Sequence, residues 1–408
     1  MSKSSAAQIR EWNGPAILSF GFRPFFLFGA FWAALAMVMW MGMLTGIVEL
    51  PTHLDPVSWH AHEFLFGYLG AIIAGFLLTA VPNWTGRLPV VGWRLGLLFG
   101  IWIASRIAMA ISDLLPLATI AIMDLAFPIL LGALILQEII AGKNWRNLIV
   151  LAMLAAFTLA NGIFHWEAAH GIHAAQGLGL RLGLASAIMM ICVIGGRIIP
   201  SFTRNWLVQN NKTDRPVAPM QQFDKLALLL TLIALLVWVV TPDRAVTGFL
   251  LLAVVLLHTF RLARWKGMQT KQEPLLLVLH IAYAMVPLGA LGIGVGIMFP
   301  EVLTAAAAQH VWMAGAIGLM TLGVMSRATL GHTGQPLKAG GSTVFIYASL
   351  IASLAARLSA IALPNFAMEL YSLSASLWIA AFGGFVLIYG KYLIGRKQTN
   401  VSNRHSKH

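Results

Sequence analysis

The sequence predicts an all-α, polytopic membrane protein with twelve transmembrane helices. Of its 408 residues, 59% are hydrophobic and only 10% charged, where an ordinary soluble domain carries about 25% charged residues. Mean hydropathy is +0.81. Apolar stretches of about 20 residues, enough to cross a hydrocarbon core roughly 30 Å thick, recur from Phe25 almost to the end. Twelve such stretches leave about 13 residues for each connection, too few to house a soluble domain. The chain therefore reads as one integral membrane domain over residues 1–408.

In order, the predicted spans cover residues 24–47, 57–82, 91–111, 115–140, 147–166, 177–200, 223–241, 244–260, 274–299, 304–328, 342–363 and 367–394. Pro82, Pro116 and Pro200 fall near span ends, where a helix must stop in any case. Pro128 and Pro287 lie inside spans, where neighbouring helices re-satisfy the freed backbone groups. Residues 1–23 are polar and lack a short apolar region with a small-residue cleavage site, so the first span is expected to direct insertion. The longest connection, 201–222, is polar and basic, and it splits the spans six and six, as in many transporters.

A second periodicity competes with that division. Span 2 closes on Thr85-Gly86, span 6 carries Thr203 six residues after Arg197, and span 10 carries Thr333-Gly334 six residues after Arg327. Aligning the threonines aligns His62 with His310, each 23 residues upstream. Four helices separate each copy, which points to three four-helix units.

Lysine and arginine number 27 against 14 acids, a net charge of +13. With the N-terminus inside, the basic residues gather in cytoplasmic segments (Lys143, Arg146, Arg204, Lys212, Arg261, Lys266, Lys391 among them), while Arg244 and Arg106 are the main entries opposite. That pattern is positive-inside topology, with the lipid bilayer as partner, and excludes a nucleic-acid footprint. Both termini are expected in the cytoplasm, together with the 201–222 loop and a tail over 395–408. Cys192 is the one cysteine, which excludes disulfides and Cys-type metal sites.

Histidine carries the chemistry. Seven of the twelve, His53, His60, His62, His165, His170, His173 and His310, fall at or near the non-cytoplasmic side, where ionisable residues are expensive and default to functional candidates. In Trp59-His60-Ala61-His62-Glu63, His60 and Glu63 share a helix face continued by Gly67, Gly70 and Ala74, which lets another helix approach. His62 points elsewhere, above the apolar stripe Phe66, Leu69, Ile73, Phe76. His170 and His173, near His165, have a spacing that suits two ligands of one metal on a helical turn, and imidazole suits copper, zinc and iron alike. One histidine from span 2 with His310 from span 10 would hold a haem iron from both sides. Arg181 and Arg357 lie in the half nearest the histidines, as partners for haem propionates or for acids. Asp113, Asp124, Glu138 and Glu167 are too scattered to define a proton path. Tryptophans near span ends, including Trp59, Trp145, Trp166, Trp265 and Trp312, read as belt anchors.

Three segments carry a resemblance. Gly21-Phe22-Arg23-Pro24-Phe25-Phe26, Trp59-His60-Ala61-His62-Glu63-Phe64-Leu65-Phe66-Gly67 and Ala74-Gly75-Phe76-Leu77-Leu78-Thr79-Ala80-Val81-Pro82-Asn83-Trp84-Thr85-Gly86 are similar to the NnrS family of bacterial inner-membrane proteins associated with nitric oxide metabolism. Gly195-Gly196-Arg197-Ile198-Ile199-Pro200-Ser201-Phe202-Thr203 and Ser326-Arg327-Ala328-Thr329-Leu330-Gly331-His332-Thr333-Gly334 resemble it too. The resemblance implies a twelve-span protein with haem b and, as a second candidate cofactor, copper, which protects denitrifying or nitrosatively stressed cells from nitric oxide. Haem-copper oxidases and nitric oxide reductases offer a more distant analogy, with twelve spans in three groups and haem ligands on spans 2 and 10. This chain departs from them in having one histidine on span 10, none on span 7, and span-6 histidines only at its start.

These observations lead to an expected site on the periplasmic side. His62 and His310 are the expected axial iron ligands, and Arg181 a cofactor contact. His60 with Glu63 would support them or ligate a metal, and His165, His170 and His173 would form a copper or second-haem site. The enzymatic version is a nitric oxide reductase-like oxidoreductase whose electron donor the sequence does not name. The alternatives are a haem-based sensor or scavenger and a twelve-span transporter, the last weakened because the loop between spans 2 and 3 lacks the acidic residue of the commonest transporter signature.

Overall fold

A computed structural model describes residues 12–86, 89–212 and 217–395. Residues 1–11 of the predicted N-terminal segment, residues 213–216 of the predicted loop and all but the first residue of the predicted tail lie outside these. Among the described residues there is no strand, and twelve helices are long and apolar enough to cross a membrane. Spans 1 to 12 are Phe22–Leu44, Pro56–Thr85, Trp93–Ala110, Leu117–Ala141, Trp145–Ala169, Leu178–Gln209, Gln222–Val240, Ala245–Ala263, Pro274–Met298, Ala305–Thr333, Gly341–Ala362 and Pro364–Ile394.

Spans 2, 6 and 10 are the most deeply buried and touch one another pairwise, while the other nine surround them. Each central span contains a π-helical segment, Glu63–Tyr68, Ile191–Gly195 and Val311–Gly318. Such segments insert an extra residue per turn and frequently mark functional sites. Those of spans 2 and 10 both open 22 residues before the aligned threonine. The threonines themselves do the same thing, each hydroxyl donating to the carbonyl four residues back: Thr85 to Val81 at 2.9 Å, Thr203 to Ile199 at 2.8 Å and Thr333 to Thr329 at 2.6 Å. Gly86 and Gly334 then end their helices with positive φ (68° and 79°), a conformation that favours glycine. The i−4 threonine bond also occurs elsewhere in the bundle, at Thr79 and Thr231 for example, so what spans 2, 6 and 10 share most distinctively is their central position and a π-helical segment.

At the opposite end, side chains satisfy the orphan N–H groups of all three central helices. Asp55 accepts from Val57 and Ser58 (2.9 and 3.0 Å), Glu167 accepts from Leu178 and Gly179 (2.6 and 3.1 Å), and Thr304 accepts from Ala307 (3.4 Å). Glu167 is thus a cap, reaching from the end of span 5 to the start of span 6. Burial raises the Asp55 carboxyl, but hydrogen bonds from the Ser58 side chain and backbone and the neighbouring His173 outweigh it and hold the acid below its ordinary range. Asp55→Ala should therefore cost about 1 kcal/mol at neutral pH. Because the folded acid is the stronger one, the wild-type advantage is present above about pH 4 and fades as pH falls below it. Chemical denaturation of both proteins at pH 7 and pH 3.5 checks this, and a pH-independent difference would contradict it.

The ends of the chain meet. Arg23, buried at the start of span 1, donates to the carbonyls of Tyr392 (3.3 Å), Leu393 (2.8 Å) and Gly395 (2.7 Å) at the end of span 12. These carbonyls terminate a helix and lack intrahelical partners. Arg23→Ala should destabilise the bundle by about 2 kcal/mol, the scale of hydrogen bonds to a charged group. Thermal unfolding in detergent would show this, and an unchanged melting temperature would refute it.

Two expectations change here. Span 6 does not stop at Pro200. It continues to Gln209, nine residues into the segment predicted as loop, because Ile199, Pro200, Thr203 and Leu207 fall on one buried face that keeps packing after Pro200. Trp59, Trp265 and Trp312 are buried inside the bundle and not belt anchors. The indole of Trp312 donates to the Val286 carbonyl at 2.9 Å. Trp145 and Trp166 are exposed, as an interfacial position requires.

Candidate functional site

Two polar centres lie at the histidine end of the bundle, on different sides of span 2. The first joins spans 2, 3, 4 and 5. His62, fully buried, has Nδ1 3.0 Å from Glu63 Oε1 and Nε2 3.1 Å from both Asp124 Oδ2 and Asn161 Oδ1. His165 Nε2 lies 3.1 Å from the same Asp124 oxygen, and the Asn161 amide donates to it at 2.7 Å. Arg106 bridges the two acids, donating to Glu63 at 2.7 Å and to Asp124 Oδ1. The Trp32 indole donates to the remaining face of Glu63 at 2.8 Å.

The sequence builds this cluster with a small residue as well as with charge. A Cβ at position 67 would collide with the Arg106 guanidinium and come within 2.9 Å of Glu63. Gly67 thus opens the space that the sequence analysis assigned to a neighbouring helix, and a side chain fills it. Every acid in the cluster faces a donor, as buried charges must. His62 Nε2, Asp124 Oδ2 and His165 Nε2 lie within 4.8 Å of one another, a spacing able to hold a metal ion.

The second centre is a cavity of about 1080 Å³, open mouth included, between span 2 and spans 1, 6, 10, 11 and 12. Its walls are mainly apolar, with Met37, Phe64, Leu180 and Trp378 among them, and it also holds His60, His310 and Arg357. His310 Nδ1 is 2.6 Å from the Ala306 carbonyl, one helical turn back. That bond fixes the ring and its tautomer and leaves Nε2 as the nitrogen with a lone pair. The His60 ring stacks on Trp40 with centroids 4.1 Å apart, and its buried Nδ1 has no hydrogen-bond partner. Arg357 lies over the Tyr371 ring at 4.6 Å.

The structure therefore brings His60, and not His62, to the cavity of His310. The threonine alignment pairs His62 with His310, yet His62 looks toward spans 4 and 5 and His310 lines the cavity walled in part by spans 11 and 12. The residue at the same distance from Thr203 on span 6, Leu180, is a wall of that same cavity.

The group His165, His170 and His173 is not brought together either. Span 5 ends at Ala169, and Gly171 with φ 72° turns the chain away, so the helical-turn spacing does not exist. His170 is exposed with Nδ1 2.7 Å from the Trp166 carbonyl, and His173 is 3.2 Å from Asp55 at the surface. Arg181 donates to the carbonyls of Val239 (3.1 Å) and Gln176 (2.6 Å), a backbone cap outside the cavity.

Sequence reasoning passed over Arg106, Asp124 and Asn161. The signal was present: Arg106 and Asp124 lie almost symmetrically about the short turn between spans 3 and 4, so a helical hairpin sets them side by side. His258 and His280, toward the other end, belong to a separate buried network. There Arg261 donates to Tyr283 (2.7 Å), whose hydroxyl lies 2.8 Å from His258 Nδ1, and His280 meets Thr203 at 2.9 Å.

A protein-family model described as NnrS protein matches residues 16–397, nearly the whole chain. No curated protein matches it.

Proposed function

The chain belongs to the NnrS family, and from that premise we propose that this nitric-oxide-related membrane protein holds haem b in the cavity of His60 and His310 and binds or turns over nitric oxide there. The observation that carries the reading is the His310 imidazole, fixed through Nδ1 and lining a mainly apolar cavity. The donor set fits the group. Apolar and aromatic walls suit a tetrapyrrole face, His60 brings a second imidazole with an unpartnered nitrogen, and Arg357 supplies a cation for a propionate. Bound there, the haem supplies an iron that takes nitric oxide as a ligand and changes redox state. His310, the more firmly held imidazole, would hold the group, and His60 would face it from the same cavity as the weaker donor. The orientation implied by the basic residues puts this end in the periplasm of the bacterial inner membrane, with both termini cytoplasmic and with protection against nitrosative stress as the physiological role.

The group His62, Asp124 and His165 offers a second position for a metal ion, and copper, which the resemblance implies and which imidazole suits, is assigned to it. Asp124 offers Oδ2 to that group while Arg106 holds Oδ1. The test is a nitric oxide titration of the dithionite-reduced protein, with metal analysis on the same sample. The reading expects a shifted Soret band that saturates near one nitric oxide per haem, and copper that His165→Ala removes. Continued consumption of nitric oxide with a supplied electron donor would identify an oxidoreductase, and saturation without turnover a sensor or scavenger. A Soret band indifferent to nitric oxide would overturn the proposal.

A further inference from the structure

Where spans 2, 6 and 10 meet, their side chains leave a second cavity of about 650 Å³, open mouth included. Ile73, Leu77, Ala187, Met190, Ile317 and Met320 are among its walls. The hydroxyl it contains, that of Thr321, is already committed: it donates to the Ile317 carbonyl at 2.7 Å and accepts from the Tyr68 hydroxyl at 2.6 Å. Among the described residues, no charged side chain lines the space. A lipid or quinol headgroup placed here would have no partner, whereas xenon or a small apolar molecule needs none.

The position matters as much as the lining. Helices in a membrane associate largely through packing contacts, so a gap along the central axis forfeits attraction exactly where three helices meet. Ile317 lines this cavity and also the cavity of His60 and His310. Tyr68 lines the latter and reaches Thr321 in the former. The two spaces are thus neighbours, separated by Ile317 and the Tyr68–Thr321 pair.

We propose that the axial cavity is a binding site for small uncharged apolar gases, nitric oxide foremost, and delivers them past Ile317 to the cavity of His60 and His310. The site itself stands on its lining, whereas the delivery role rests on the haem reading above. Nitric oxide is small, apolar and concentrates in lipid, so an apolar pocket among the central helices raises its local supply without a polar vestibule.

The experiment has two arms. In crystals pressurised with xenon, an anomalous peak is expected among Ala187, Met190 and Ile317 in the wild type, and is expected to vanish in Ala187→Phe, which fills the space. In stopped-flow mixing of reduced protein with nitric oxide, Ala187→Phe should slow association about fivefold and Ile317→Ala, which thins the wall, should quicken it, since buried volume is occupied with little slack. Should Ala187→Phe fail to fold, Ile317→Ala carries the kinetic arm and the wild-type xenon peak the structural one. No xenon peak, or alkyl-chain density filling the cavity, would overturn the site. Rates within twofold of wild type in the available variants would overturn delivery. Absence of haem in the wild type would defeat the function proposed above, and the xenon arm would still report on the cavity.

Discussion

His310→Ala should cost the purified protein roughly 10-fold or more of its bound haem, because it removes the imidazole that would hold the group and that the fold orients most firmly. Its Nδ1 is tied to the Ala306 carbonyl, so the ring is held before any ligand arrives and little rotamer freedom is lost on ligation. His60→Ala should keep more haem, since its ring is positioned by ring contacts with Trp40 and Phe64, but should alter the spectrum of what remains. His62→Ala is the discriminating control. That residue lies in the ionic cluster of spans 2 to 5, so its loss should affect stability and leave the Soret band in place. Visible spectra of the three variants, normalised to protein, check the set. If His62→Ala lost haem while His310→Ala retained it, the assignment would be reversed.

Arg106→Gln is expected to have the largest effect on stability, about 3–5 kcal/mol, the cost of stranding buried charge by deleting one partner. Two acids depend on this guanidinium, Glu63 and Asp124, and each is almost wholly buried. Glutamine keeps some hydrogen bonding but leaves the acids' charge facing one another. A second substitution, Glu63→Gln, removes one of those charges and should restore part of the loss, because removing both members of a buried pair is less costly than removing one. Equilibrium unfolding in mixed micelles gives both numbers. A loss below about 1 kcal/mol, the range of exposed ion pairs, would show that the cluster is solvated and is not the buried network described.

The fold was legible because membrane physics leaves few options: with twelve apolar stretches of sufficient length and no room outside them, only a helical bundle remains. The central helices were visible less directly, through the repeated threonines. Their hydroxyls turn out to make the same i−4 bond in all three copies. The helix extension to Gln209 was hidden because proline was read as a stop, whereas its buried neighbours carry the helix through it. For the site, sequence picked out His60, His62, Glu63, His165 and His310, which all lie in one of the two centres, because histidines and acids at that depth are rarely idle. It did not tell which centre each joins. His60 and His62 are two residues apart on one helix, and only the placement of spans 1, 4, 5 and 11 decides that one faces the cavity and the other the Arg106 cluster. Arg106 and Asp124 are visible in the sequence but not as a pair, because a charge inside a span needs a partner and here the partner is on the next helix of the hairpin.

The central claim, that the cavity of His60 and His310 houses haem b, is tested most directly by the optical spectrum of the purified wild-type protein with iron determined on the same sample. The account predicts a Soret band, the reduced α band of a b-type haem and iron in stoichiometric amount. A protein that folds, purifies and shows neither a Soret band nor iron, even after incubation with haem, would contradict it.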